Sequence, residues 1–149
     1  LSFNSVKFTH NMNTFSKNEL TLESCIKMYK IAFDKADEIG FKIALTICDT
    51  GGNTKIFCRM DNAPLIASDI SRKKAVTAVG FGMGTGKDWH EFIKDDPILN
   101  AGAHDINDFM LLGGGKPIYI DNELVGAIGV SGGHYTQDEA CCDAALNGL

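Results

Sequence analysis

Apolar residues in the first part of the chain recur at helical spacing and then change to short strand-like runs. Between residues 20 and 39 they fall at steps of three and four, at Leu22, Ile26, Tyr29, Phe33 and Ala36. This spacing predicts a helix with one buried face, with Thr21 as its N-cap and Gly40 as its left-handed end. Apolar runs near 42–48 and 54–60, separated by a turn cluster, then predict a β-hairpin.

The most informative pattern runs from Phe109 to Gly133. Short apolar runs near 109–113, 116–120 and 124–130 alternate with glycines and with the turn pair Asp121-Asn122. Asp and Asn suit such a turn because they tolerate positive φ, and no helix tolerates this density of glycine. The pattern therefore predicts three strands of a meander.

Two further helices are predicted on either side of an irregular segment. Pro64 opens a helix over 65–79 that is rich in small residues, and another helix covers 137–146. From 80 to 108 the periodicity is lost, apart from one short amphipathic turn near Trp89. A long irregular segment in a compact domain is often a functional loop or lid. Its glycines lack the GK[ST] ending of a phosphate loop, and they follow a helix instead of a strand.

The order of these elements predicts an α+β domain with a five-stranded antiparallel sheet covered by helices. We assign residues 20–149 to this single domain and residues 1–19 to an N-terminal leader. Met12 is a possible native start, so the first eleven residues carry no functional weight. They contain neither the apolar block nor the cleavage site of a signal peptide.

Composition excludes several classes of partner. The formal net charge is −5 and no basic cluster is present, which argues against a nucleic-acid surface. No apolar run approaches the ~18–20 residues that a membrane helix needs. The five cysteines have no metal-type spacing. We interpret them as reduced thiols of a cytoplasmic protein.

Seven short motifs, taken together and in order, resemble the GlcG/HbpS family. This "haem-degrading" domain group also supplies the C-terminal domain of PduO-type cobalamin adenosyltransferases. The motifs are LTLES at 20–24, DTGGN at 49–53, RMDNAPL at 59–65, KAVTA at 74–78, FGMGT at 81–85, GGGKPI at 113–118 and VGAIGVSGG with QDE over 125–139. The resemblance implies a profilin-like fold and homo-oligomers. It links the chain to haem binding, glycolate utilisation and diol-dehydratase or cobalamin operons.

No catalytic constellation accompanies this resemblance. The sequence has no Ser-His-Asp pattern, no HExxH and no paired His or Cys ligands. Its four histidines are His10, His90, His104 and His134. Each is interpreted first as a solvated or capping residue, and His134 departs from the small or β-branched residue common in relatives. The metal ligands and catalytic residues therefore stay unassigned.

The candidate ligand site is a cleft that the 81–108 segment covers. We expect it to bind haem or another carboxylate-bearing small molecule. The alternative is an enzyme of glycolate- or diol-type metabolism, or an accessory assembly protein of such a pathway. The candidate ligand-binding residues are Arg59, Asp61, Lys74, Thr77, His104, Gly113, Gly114, Gly115 and His134. Arginine, lysine and exposed glycine amides are the groups that recognise carboxylates.

Two structural explanations compete with this site. Lys74 lies near the margin of its helix's buried stripe, so it could extend its charged end to water instead of contacting a ligand. Arg59 and Asp61 could form a structural ion pair that braces the hairpin to the second helix.

Overall fold

The computed structural model describes residues 13–149, so His10 and most of the leader predicted over 1–19 lie outside the described residues. The helices are α1 Leu22–Ile39, α2 Ala67–Phe81, α3 Lys87–Ile93, α4 Pro97–Gly102 and α5 Tyr135–Asn147, and the strands are β1 Ala44–Cys48, β2 Thr54–Arg59, β3 Gly115–Ile120 and β4 Glu123–Ser131. The N-cap of α1 is Thr21, whose hydroxyl accepts from the amide of Ser24, and Gly40 ends α1 with φ 85°. Both predictions for this helix are confirmed.

The four strands form one antiparallel sheet in the order β2-β1-β4-β3. The turn between β3 and β4 is confirmed, with φ of 51° at Asp121 and 64° at Asn122. The chain is therefore an α+β protein with an antiparallel sheet.

The prediction of a fifth strand over 109–113 is wrong. The amide of Met110 donates to the side chain of Thr77, and the carbonyl of Leu111 accepts from the amide of Gly86. Groups of α2 and of the loop before α3 take these backbone bonds, so the apolar run forms a partly buried connection without a strand ladder. The profilin-like description of the fold stays a prediction.

Side chains of the central strands alternate between two helical layers. Leu45 and Ile47 of β1 pack with α1 and α5 in the main core. Thr46 and Cys48 face α2, where Thr46 hydrogen-bonds Ser71 at 2.9 Å. Because neighbouring residues of a strand point to opposite faces, α2 covers the face opposite α1 and α5. None of the helices in the described range has the length and apolar content needed to span a bilayer.

The 81–108 segment is more ordered than its sequence suggests. It contains α3, α4 and a 3-10 turn over Ala103–Asp105. Asp96 begins α4 by accepting from two backbone amides, and Pro97 takes the first helical position. Trp89 lies edge-on against Phe81, Phe92 and Phe109 and centres a small apolar cluster.

Helix α2 lies unusually close to β4. A Cβ added at Gly129 would collide with the carbonyl oxygen of Ser71 and would come within 2.6 Å of the amide nitrogen of Ala75. Helix backbone cannot move away without opening the α2–sheet interface. The glycine in this strand is therefore required by close backbone approach, as the sequence pattern indicates.

We expect Gly129→Ala to lower the free energy of unfolding by about 1–3 kcal/mol, because overpacking a tight interface has this magnitude. The matched control is Gly80→Ala in α2. A Cβ at Gly80 meets no atom within 4 Å. The control should raise stability by about 0.5–1 kcal/mol, since alanine is the better helix former. Urea unfolding measures both changes, and equal effects of the two variants would contradict the close approach.

Candidate functional site

Two neighbouring cavities open around the N-terminal end of α5. The first, the α3 cavity, has a volume of about 450 Å³. Its wall comprises Gly86, Lys87, His90, Leu111, Leu112, Gly113, Tyr135, Thr136 and Glu139. The second, the α2 cavity, is also about 450 Å³. Its wall comprises Pro64, Ile66, Ala67, Ile70, Lys74, Leu112, Ser131, Gly132, Gly133, His134, Tyr135 and Asp138. Leu112 and Tyr135 belong to both walls and divide one cleft from the other.

A buried ion pair lies in the wall of the α2 cavity. Lys74 Nζ donates to Asp138 Oδ2 at 2.8 Å and to the carbonyl of Val130 at 2.9 Å. Both charged side chains are only 2% exposed. Asp138 Oδ1 also accepts from the amide of Gly133 at 3.0 Å. Lys74 therefore does not extend to water, and it connects α2, β4 and α5 at one point.

The buried position raises the pKa of the Asp138 carboxyl, because removal from water disfavours its charge. The ammonium of Lys74 and the amide of Gly133 oppose this rise. Removing either charged partner would leave the other charge buried without compensation. Local stability therefore depends on the presence of both partners.

The predicted glycines 113–115 permit close packing and do not present an open amide edge. All three are buried. A Cβ at Gly113 would collide with the Glu139 carboxylate, and one at Gly114 would come within 2.7 Å of the Val130 carbonyl. The amide of Gly115 donates to Thr85 Oγ1 at 2.8 Å. The expectation of exposed amides is thus wrong for Gly115, and only Gly113 borders a cavity.

Thr77 and His134 have local structural roles. Thr77 Oγ1 donates to the carbonyl of Asp108 and accepts from the amide of Met110, which fixes the connection before β3. His134 is the N-cap of α5 and forms a capping box with Gln137. Its ring also lies 4.2 Å from that of Tyr135, between centroids. His134 still borders the α2 cavity.

The remaining predicted residues lie outside both cavities. Arg59 ends β2 and Asp61 follows in an exposed turn. Residues 13–149 contain no ion pair between them, so the predicted brace is wrong. His104 is exposed in the 3-10 turn, with its ring centroid 5.6 Å from that of Phe109. Of the nine predicted residues, Lys74, Gly113 and His134 border a cavity.

Sequence reasoning missed the polar residues of the α3 cavity. Lys87 and His90 lie one turn apart on α3, with Glu139 contributed by α5. Glu139 lies about 50 residues after Lys87 and His90 in the sequence, so the three residues form no local motif. One sequence signal could have found Lys87 and His90. Trp89 and Phe92 predict a short amphipathic helix, and on such a helix Lys87 and His90 share a face other than the apolar one. The described residues contain no cluster of three or more His, Cys, Asp or Glu able to hold a metal ion.

The cysteines contribute packing instead of reactivity. All five are free thiols, and all except Cys58 are buried. Burial raises the pKa of Cys48 and of Cys141 to about 12, so both stay protonated near neutral pH. This agrees with the interpretation of the cysteines as small apolar residues.

Comparison with known proteins identifies a family. The family model described as Haem degrading protein HbpS-like matches residues 20–147. An uncharacterised 15.0 kDa protein from the dhaT-dhaS intergenic region of Citrobacter freundii is 35% identical over 133 residues, which cover 86% of this chain and 90% of that protein. The structure of Klebsiella pneumoniae protein ORFY shares 28% identity, with a TM-score of 0.84, over 93% of this chain and 96% of that one. A PduOC haem complex, at 24% identity and TM-score 0.77, covers 88% of this chain and 95% of its own and shows likeness of fold.

The buried ion pair gives a stability prediction. We expect Lys74→Met to lower the free energy of unfolding by about 3–5 kcal/mol, because Asp138 would remain buried and unpaired. Lys73→Met is the matched control. Lys73 is the next residue of α2 and pairs with Asp69 at the surface, where the side chains are 33% and 50% exposed. Its loss should cost about 0–1 kcal/mol.

Urea unfolding measures the free energy of unfolding of both lysine variants, and the midpoints can be compared directly if the m-values are unchanged. The double variant Lys74→Met/Asp138→Leu should recover much of the loss, since it leaves no unpaired charge. Equal midpoints for Lys74→Met and Lys73→Met would show that the buried pair contributes no more than a surface pair.

Proposed function

The chain belongs to the Haem degrading protein HbpS-like family, and on that premise we propose that it binds haem or another carboxylate-bearing small molecule in the α3 cavity. The supporting observation is the composition of this cavity. It combines an apolar wall with a lysine and a histidine on one short helix. It also lies between the 81–108 segment and Gly113, in the region where the sequence predicts the cleft.

The residues of the α3 cavity fit the chemistry of a tetrapyrrole. Leu111, Leu112 and Tyr135 offer apolar surface to a flat ring system. His90 carries an imidazole, a side chain that would be able to bind the iron of haem. Lys87, one turn earlier on α3, supplies a positive charge for a propionate. The volume lies within the usual range of small-molecule sites, about 300–1,000 Å³.

Haem, when bound, supplies its iron for redox and oxygen chemistry, while the protein binds and orients the group. Aromatic contacts of Trp89 hold α3 in place, and the close contact of Glu139 with Gly113 fixes α5 against the opposite wall. Both sides of the cavity are therefore formed before a ligand enters. Such preorganisation lowers the entropy lost on binding.

Several finer expectations stay predictions. A homo-oligomeric state, a profilin-like fold and a cytoplasmic location rest on the sequence and on the family resemblance. The alternative of an enzyme of glycolate- or diol-type metabolism, or of an accessory assembly protein, has no separate support in the geometry of the two cavities.

Haem titration followed by the Soret band tests the proposal. We expect His90→Ala to weaken binding about tenfold, equivalent to ~1.4 kcal/mol, and to shift the Soret maximum because the imidazole that would bind iron is lost. Lys87→Ala should weaken binding severalfold without a comparable shift, since only a propionate contact is lost.

Each variant has a control on the same segment. His104→Ala removes an exposed histidine outside both cavities, and Lys94→Ala removes an exposed lysine just after α3 that pairs with Glu91. Both controls should titrate like the unaltered protein. Binding at the α3 cavity is refuted if all four variants titrate alike. It is also refuted if His104→Ala is the one variant that weakens binding and shifts the Soret maximum.

A further inference from the structure

The wall of the α2 cavity contains a buried hydroxyl without a hydrogen-bond partner. Ser131 is 6% exposed, and its Oγ bonds to no group within residues 13–149. In the same range, Trp89 Nε1 is the one fully enclosed side-chain polar atom that lacks a partner, so the Ser131 Oγ keeps an open side. A buried hydroxyl is usually satisfied by protein, water or a ligand, because leaving it unpaired costs free energy.

The strand geometry directs this hydroxyl toward the cavity. Val130 packs in the main core, so Ser131, the next residue of β4, projects from the opposite face of the sheet. Helix α2 covers that face, where Thr46 of the neighbouring strand hydrogen-bonds Ser71. The Ser131 side chain therefore projects into the space between the end of β4 and the first turns of α2, which the α2 cavity occupies.

Other groups around this cavity favour a hydrogen-bond acceptor. The amide of Thr136 donates to His134 Nδ1, which places the proton of the neutral ring on Nε2. His134 thus brings a second donor to the wall that Ser131 borders. The cavity also lies at the N-terminal end of α5, where the helix dipole favours negative charge.

The one carboxylate in the wall does not oppose an anion. Asp138 Oδ2 accepts from Lys74, and its Oδ1 accepts from the amide of Gly133. The ion pair carries no net charge, so its repulsion of an anion is offset by an attraction of similar size. The balance of charge and donors around the cavity therefore suits a carboxylate.

The opposite side of the cavity is apolar, with Pro64, Ile66 and Ile70 in its wall. We propose that the α2 cavity binds a small aliphatic carboxylic acid, with Ser131 donating to the carboxylate and the alkyl chain lying against Ile66 and Ile70. The volume of about 450 Å³ is that of a small-molecule site. This site is separate from the α3 cavity, so its failure would leave the haem proposal standing.

Titration of the isotope-labelled protein with hexanoate, followed by amide NMR shifts, tests the proposal. We expect saturable shifts at Ser131, Gly133 and His134. Ser131→Ala should weaken hexanoate binding at least about tenfold, because a hydrogen bond to a charged acceptor is lost. Hexan-1-ol has the same chain without the charge, and it should bind the unaltered protein at least about tenfold more weakly than hexanoate.

The matched control is Ser68→Ala, because Ser68 lies on α2 but borders neither cavity. It should bind hexanoate like the unaltered protein. Ser131→Ala should titrate with haem like the unaltered protein, which separates this site from the α3 cavity. The absence of saturable shifts, or equal hexanoate affinity in the two serine variants, would overturn the proposal. Equal affinity of the unaltered protein for hexanoate and hexan-1-ol would overturn it as well, since the cavity would then bind the chain alone.

Discussion

The buried pair between Lys74 and Asp138 is the interaction on which the cleft depends most. It joins the helix on one face of the sheet to the helix on the other through the end of β4. A buried ion pair contributes stability only when both partners are present and their remaining hydrogen-bonding groups are satisfied. Val130 and Gly133 supply those additional bonds. The pair thereby fixes one side of the α2 cavity, where α2, β4 and α5 meet.

Glycine packing determines the shape around that pair. Gly114 allows β3 and the Lys74–Asp138 pair to approach, and Gly113 allows Glu139 to reach the preceding loop. Larger residues would separate α5 from the 111–115 connection and alter both cavities. The glycine-rich motif therefore acts through steric fit, whereas its sequence had suggested an anion-binding edge. Exposed Leu112 and Tyr135 then divide the space into two chambers.

Local signals made most of the fold predictable, and long-range packing explains the failures. The cap at Thr21, the Asp121-Asn122 turn and the apolar run of β1 depend on neighbouring residues. The run at 109–113 resembles a strand because apolar content alone cannot tell a strand from a partly buried connection. Its Met110 amide is bonded by Thr77, more than 30 residues earlier. The Lys74–Asp138 pair forms only after folding, and Lys87 and Glu139 come to one cavity only then, so sequence spacing could not reveal them.

The crystal structure of the haem-saturated protein tests the central claim most directly. The account predicts the tetrapyrrole against Leu111, Leu112 and Tyr135, with the His90 imidazole as the nearest side-chain ligand to iron. It also predicts that the Lys74–Asp138 pair remains intact behind the dividing wall. Haem bound beside His104, or in a third cavity that Pro117, Tyr119 and Leu146 line, would contradict it.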